Sequence, residues 1–290
     1  MKNELVEEFE KNHGISIPVD FENGEKVIEA FLKLHSKLRI TMGGLQEDDF
    51  HKSPSIGVIF QLINRMHEQL SGSLISICTK NHASSEILSR TAIESAVSVL
   101  YFFKDDTESK VLVWLKKYIE EDKRHIQDWE KSPKTQDEQQ IHAPRILARR
   151  ESSQFKEKFV DQYIYEIKQI LQIDDSLRLP QKIFKKFQDI GEETTYHTVY
   201  TRLSAMTHLN AEDTISYMIA KVYGNKKQQQ QMGLEHHAFS EYMCHYAILF
   251  YARTIEEFCI KYTNQQVSEI ESIKGDILSI MTRLGEKWEW

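Results

Sequence analysis

Chain breakers are scarce in this sequence. Its 290 residues include only 11 glycines and 5 prolines. That is too few for the turns of a many-stranded β fold and favours long helices. The cysteines, Cys78, Cys244 and Cys259, form no CxxC pair and are odd in number. Disulfide scaffolds and zinc ribbons are therefore disfavoured, and a reducing cytoplasm fits. Positive charge is also short: 37 Lys and Arg face 44 Asp and Glu, a formal net charge of −7. A surface that grips nucleic acid everywhere is disfavoured, whereas a local basic patch or a small RNA site stays compatible. No stretch approaches the roughly 18 apolar residues of a membrane span; the greasiest runs only from Val97 to Phe103. Met1 to Glu8 is charged and has no apolar core, so no signal peptide is expected. The expected location is cytoplasmic and no membrane is expected as a partner. Gly-x-Gly-x-x-Gly, Walker and Gly-x-Ser-x-Gly motifs are missing, which removes nucleotide-binding and α/β-hydrolase readings.

What is present is helical periodicity. Val27, Phe31, Leu34 and Leu38 mark one face of a helix over 24–41, closed by Gly43 and Gly44. A polar connection through Pro54 leads to a second helix over 55–80. Over 83–104, Leu88, Ala92, Ser95, Val99 and Phe102 line one face while Ile93, Val97 and Leu100 line another; a helix apolar on two faces is central in its domain. Further helices are expected at 108–130, 154–171, 193–206, 211–223, 234–263 and 268–284, with a short one after Pro180. The polar run from Lys131 to Gln140, followed by Arg145, Arg149 and Arg150, reads as a loop or short surface helix, its arginines solvated or touching phosphates. Lys226 to Gly233 reads as a loop. The expected fold is an all-α multi-helix bundle forming one helical domain over 1–290. Its core is 55–223, with an N-terminal helix and connection over 24–54 and a C-terminal helical pair over 234–285.

Two polar constellations stand out. Arg90 and Glu94 share a face of the greasy helix, with His82 and Glu86 upstream and Tyr101 downstream. Charges on such a helix are costly to bury unpaired. They are therefore either a pair tethering neighbouring helices or a site held for a substrate or partner. In the second constellation His197, Thr201, Ser204 and His208 share a helical face that carries no Lys or Glu. Such a face lines a cleft or interface, or else satisfies backbone groups at a helix end. His237, Glu241 and His245 follow at i, i+4, i+8. They lack a duplicated Glu-x-x-His, so neither metal nor cofactor is expected. Trp288 and Trp290 would dock on the chain itself or on a partner.

The segment Leu88-Ser89-Arg90-Thr91-Ala92-Ile93-Glu94, taken with Tyr200-Thr201-Arg202-Leu203-Ser204-Ala205-Met206-Thr207-His208, resembles the DUF5677 family. Those are bacterial helical proteins of unassigned function, with an Arg-x-x-x-Glu helix followed by Tyr-x-x-x-Ser-x-x-x-His. The likeness covers roughly 55–223. A looser resemblance is to HEPN ribonucleases, helical bundles that often dimerise and carry an Arg followed by four to six residues and a His. Arg202 and His208 fit that spacing, although Leu203 stands where those enzymes often have a polar residue. On a straight helix the two would lie roughly 120° apart, so they converge only at a helix break near 208 or through a second subunit.

The HEPN resemblance implies a metal-independent ribonuclease or toxin-like effector, in the setting of bacterial antiphage defence. Arg202 and His208 would be catalytic, while Arg90, Glu94, Tyr200 and Ser204 would support or orient the substrate. RNA is the implied substrate; a homo-oligomer and a protein partner from the same system are the other implied partners. The alternative is a non-catalytic module that binds a protein or small ligand through Arg90, Glu94, Ser204 and His208.

Overall fold

The computed structural model describes residues 3–21, 23–174, 176–201, 203, 218, 222, 224, 226–263 and 267–286. Among these residues all regular structure is helical, and the fold is the expected all-α multi-helix architecture. In chain order the helices are α1 (Glu4–His13), α2 (Gly24–Gly43), α3 (Glu47–Lys52), α4 (Ile56–Cys78), α5 (His82–Phe103), α6 (Thr107–Lys131), α7 (Gln136–Ile170), α8 (Ile183–Asp189) and α9 (Glu193–Thr195). A π-helical turn (Tyr196–Tyr200) continues α9, and α10 (Lys226–Thr263) and α11 (Ser268–Glu286) follow. Two compact units emerge: Met1–Leu45 with Ile59–Lys104 and Lys182–Trp290, and Gln46–Val58 with Asp105–Gln181.

In the first unit α5 is the central helix. It buries Ala92, Ile93, Ala96, Val97, Val99 and Leu100 and packs most extensively along α10. α10 supplies Ala247, Ile248, Tyr251, Ile255 and Phe258, all fully buried, and α2 supplies Val27, Phe31, Leu34 and Leu38. Removing a large side chain of this kind from water stabilises the fold by about 1.5–3 kcal/mol. Small residues let α4 approach α5. A Cβ on Gly72 would meet Leu88 Cδ1 at 3.0 Å, and the buried Ser73 hydroxyl meets those of Ser85 and Ser89 at 2.8 and 2.9 Å. Asn3 caps α1 by accepting from the Leu5 amide, and Gly14 closes it at φ 63°, a left-handed conformation open to glycine at little cost.

The second unit is built on the α6–α7 pairing. Among its buried positions, Leu112, Ile119 and Ile126 on α6 and Ile146, Ser153, Val160 and Ile167 on α7 recur every seven residues. That is the repeat of a coiled-coil seam. One polar layer interrupts it: buried Asp122 pairs with Arg149. Although burial opposes the charge, the nearby Ser153 and the bond from Arg149 hold the Asp122 carboxyl below the usual range.

Two stretches correct the sequence reading. α7 runs unbroken from Gln136 to Ile170, through most of the polar segment expected to be a loop or short surface helix, and carries Pro144 inside it. An interior proline costs a helix about 3 kcal/mol. Here a Thr135–Glu138 capping box, the heptad seam and the Arg149–Asp122 and Arg150–Glu130 pairs outweigh it. α10 likewise begins at Lys226, not after Gly233; the glutamines are good helix formers and no proline intervenes. Among the described residues, no helix is long and apolar enough to cross a membrane.

Candidate functional site

The polar stripe of α5 resolves into two clusters. At its middle, Arg90 and Glu94 meet Tyr200 from the π turn. One carboxylate oxygen, Glu94 Oε1, accepts both the Arg90 Nε–H at 2.9 Å and the Tyr200 hydroxyl at 2.7 Å. Arg90 NH2 also lies 3.3 Å from the Tyr200 hydroxyl, and its guanidinium sits 5.3 Å from the ring centroid. The pair is only partly withdrawn from water, with side chains 15% and 36% exposed. Burial, reinforced by the bond to Glu94, pushes the Tyr200 phenol up to about 12, so it stays a donor across the physiological range. Burial opposes the charge on Arg90, but Tyr200 and Glu94 more than offset this and keep it cationic.

An aromatic wall holds Tyr200 in place. Tyr196 stacks on it at 5.2 Å, and Phe187 of α8, fully buried, packs 5.4 Å from Tyr200 and 5.5 Å from Tyr196. The π turn sets the spacing. Thr201 donates its hydroxyl to the Tyr196 carbonyl, five residues back, at 2.8 Å. Single π turns are frequent at functional sites. The regular α phasing assumed for His197 and Thr201 does not apply across it, yet both side chains are exposed. Arg202, Ser204 and His208 lie outside the described residues, as do Trp288, Trp290 and the break expected near His208. The flanking residues place Thr201 at the surface and Leu203 fully buried.

Lys186 of α8 was not anticipated. Its ammonium donates to Ser98 Oγ at 3.0 Å, one helical turn from Glu94. Only the packing of α8 on α5 brings this second cation to the Arg90–Glu94 side, and no spacing in the sequence announces it.

The upstream half of the stripe joins α10. Glu86, almost fully buried, accepts from the Ser240 hydroxyl at 2.6 Å and lies 3.0 Å from His236 Nε2. His237 pairs with buried Glu241 at 2.8 Å and also meets the Asp20 carbonyl at 3.2 Å. The Glu241 bond raises the His237 pKa against the opposing effect of burial. The His82 ring lies 4.8 Å from that of His237 and 5.6 Å from that of His236; burial lowers its pKa, and the two neighbouring histidines add to the effect. The sequence singled out His82 and Glu86 on one helix and His237 and Glu241 on another, but neither His236 nor Ser240. Among the described residues no group of three or more His, Cys, Asp or Glu is arranged to hold a metal ion.

The described residues are helical, and the Arg90–Glu94 pair of the central helix is bonded to Tyr200. The family described as "Family of unknown function (DUF5677)" matches residues 57–226. The chain belongs to the DUF5677 family. No curated protein and no solved structure matches it.

Proposed function

We propose that this chain is a HEPN-like, metal-independent endoribonuclease, a toxin-like effector acting in the cytoplasm in antiphage defence. RNA is its substrate in this reading. Its other partners are a second copy of the chain and a controlling protein from the same system. One observation carries the proposal: Tyr200, two residues before Arg202, is fixed by the Arg90–Glu94 pair of the central helix. That tether joins the central helix to the tyrosine that opens the second motif. Lys186 and Arg90 bring positive charge to the Tyr200 side of α5, which suits a phosphodiester.

The chemistry balances without a metal. Neutral His208 takes the ribose 2′-hydroxyl proton as that oxygen attacks phosphorus. Arg202 offsets the charge growing on the phosphoryl oxygens. The bond from phosphorus to the 5′ oxygen breaks and that oxygen is protonated, leaving a 2′,3′-cyclic phosphate and a 5′-hydroxyl. Arg90, Glu94, Tyr200 and Ser204 position the segment or the substrate.

A second reading keeps the residues and drops the catalysis. Arg90 and Glu94 are bonded to each other and to Tyr200, which also suits a non-catalytic pocket for a protein or small ligand. Incubating RNA with the full chain in EDTA, beside Arg202→Ala and His208→Ala, separates the two. Cleavage to cyclic-phosphate ends by the wild type, lost in both variants, is expected of the nuclease. Equal cleavage by all three refutes the assigned residues. No cleavage by well-folded wild type, with or without a second protein of the system, leaves the binding module.

A further inference from the structure

α7 carries two faces. The seam of Ile146, Ser153, Val160 and Ile167 is buried. On the opposite side Phe155 is 74% exposed and Phe159 65%, and Ile141, Leu147, Tyr165 and Ile170 are each more than half exposed. At 100° per residue these six fall within an arc of roughly 140°. Together they present on the order of 700 Å² of apolar surface. Exposed Glu151, Lys158 and Glu166 are interleaved with them in the same arc, and the apolar area is close to the roughly 800 Å² each partner contributes to a standard interface.

The order of residues says what covers it. The exposed apolar positions pair about centres that lie between residues 155 and 157: Ile141 with Ile170, Leu147 with Tyr165, and Phe155 with Phe159. The exposed charges beside them mirror with opposite sign. Arg145 answers Glu166 on one flank and Glu151 answers Lys158 on the other. A two-fold axis crossing two antiparallel helices sets each flank against its own copy, so that residue i meets j and j meets i. On one axis the five pairs, three apolar and two of opposite charge, come opposite each other to within about 4 Å along the helix. Phe159 is already ordered for this, stacked on Tyr163 at 6.4 Å and 4°, with the Tyr163 hydroxyl fixed on the Pro54 carbonyl. An apolar groove formed by Phe50, Pro54, Tyr165 and Ile170 closes that end of the stripe, where the pairing would set Ile141 of a second copy.

We infer that the chain forms a two-fold dimer through antiparallel packing of α7 on α7 of a second copy. The inference names a surface for the second copy in the reading above but needs no catalysis. Its test reads mass and not RNA cleavage, so either can fail alone. Sedimentation velocity of the full-length protein across the micromolar range should show a dimer. Phe155→Glu with Phe159→Glu should give a monomer with the wild-type circular dichroism and a melting temperature independent of protein concentration. Arg145→Glu should weaken the dimer roughly tenfold through like charges across both symmetric contacts, and adding Glu166→Arg should restore it. A wild-type monomer at every concentration, a dimer indifferent to the phenylalanine changes, or a double reversal no tighter than the single one overturns the inference.

Discussion

Acid should unfold this protein through a histidine far from the candidate site. His67 of α4 lies between Phe31, 4.5 Å away and nearly parallel, and His35, whose ring centroid is 3.6 Å away. Its buried Nδ1 has no hydrogen-bond partner. Burial, with His35 and His13 adding like charge, lowers its pKa to about 3. An unfolded chain returns the imidazole to about 6.5. The sign follows: between those values the unfolded state binds a proton that the folded state refuses. The stability is present above about pH 6.5 and is lost as pH falls toward 3. At about 1.36 kcal/mol per pK unit, the loss between pH 7 and pH 4 comes to roughly 3 kcal/mol. That is a large share of a typical 5–15 kcal/mol. His67→Phe keeps an aromatic ring in the stack and removes the proton. The variant costs about 1–3 kcal/mol at pH 7 through its extra volume, but its deficit should shrink or reverse by pH 4. Urea unfolding of both proteins at a series of pH values measures this. Acid limbs that fall in parallel would falsify the assignment to His67. His35 titrates in the same direction, its pKa lowered by burial and then by Arg39, and accounts for part of any slope the variant keeps.

Other expectations concern the site and the hairpin. Tyr200→Phe removes the hydroxyl that bonds Glu94 and Arg90 and should cost about 1–2 kcal/mol in urea unfolding; a change indistinguishable from zero would mean the tether carries no stability. If Tyr200 positions the Arg202–His208 segment, the same variant should lower kcat with little change in KM, its pH profile keeping its shape. Arg149→Ala removes the cation bonded to the buried Asp122 carboxylate, and about 1–2 kcal/mol should be lost, discounted because Arg149 is half exposed. Raising the pH from 3 to 6 should stabilise the wild type more than this variant. Thr135→Ala, which opens the capping box of α7, should cost about 1 kcal/mol, and hydrogen exchange should show faster opening confined to the first turns of that helix.

Most helices were legible because their signals are local. α2, α4, α5 and α6 lie within one or two residues of the periodic stretches that announce them, since burying one face of a helix imposes a 3.6-residue repeat on the sequence itself. α1 was missed although Asn3 and Gly14 mark its two ends; with only Val6 and Phe9 buried, two apolar positions make a faint period. α7 and the start of α10 were misread where composition was allowed to speak for structure. Polar residues and one proline look like a loop until the seven-residue seam against α6 and its ion pairs are counted, and those depend on a partner helix.

The site divides the same way. The sequence by itself determined that Arg90 and Glu94 share a face, because residues four apart on a helix must do so, and that His82 and Glu86 continue it. It determined the all-helical class, because so few glycines and prolines leave little else. Tertiary structure alone decided that Tyr200 closes on Glu94 across 106 residues, that Lys186 comes to the same side, and that Glu86 is answered by Ser240 and His236 of α10. Such pairings depend on the packing of α8, α10 and a π turn, and no repeat along the chain encodes a contact between helices a hundred residues apart.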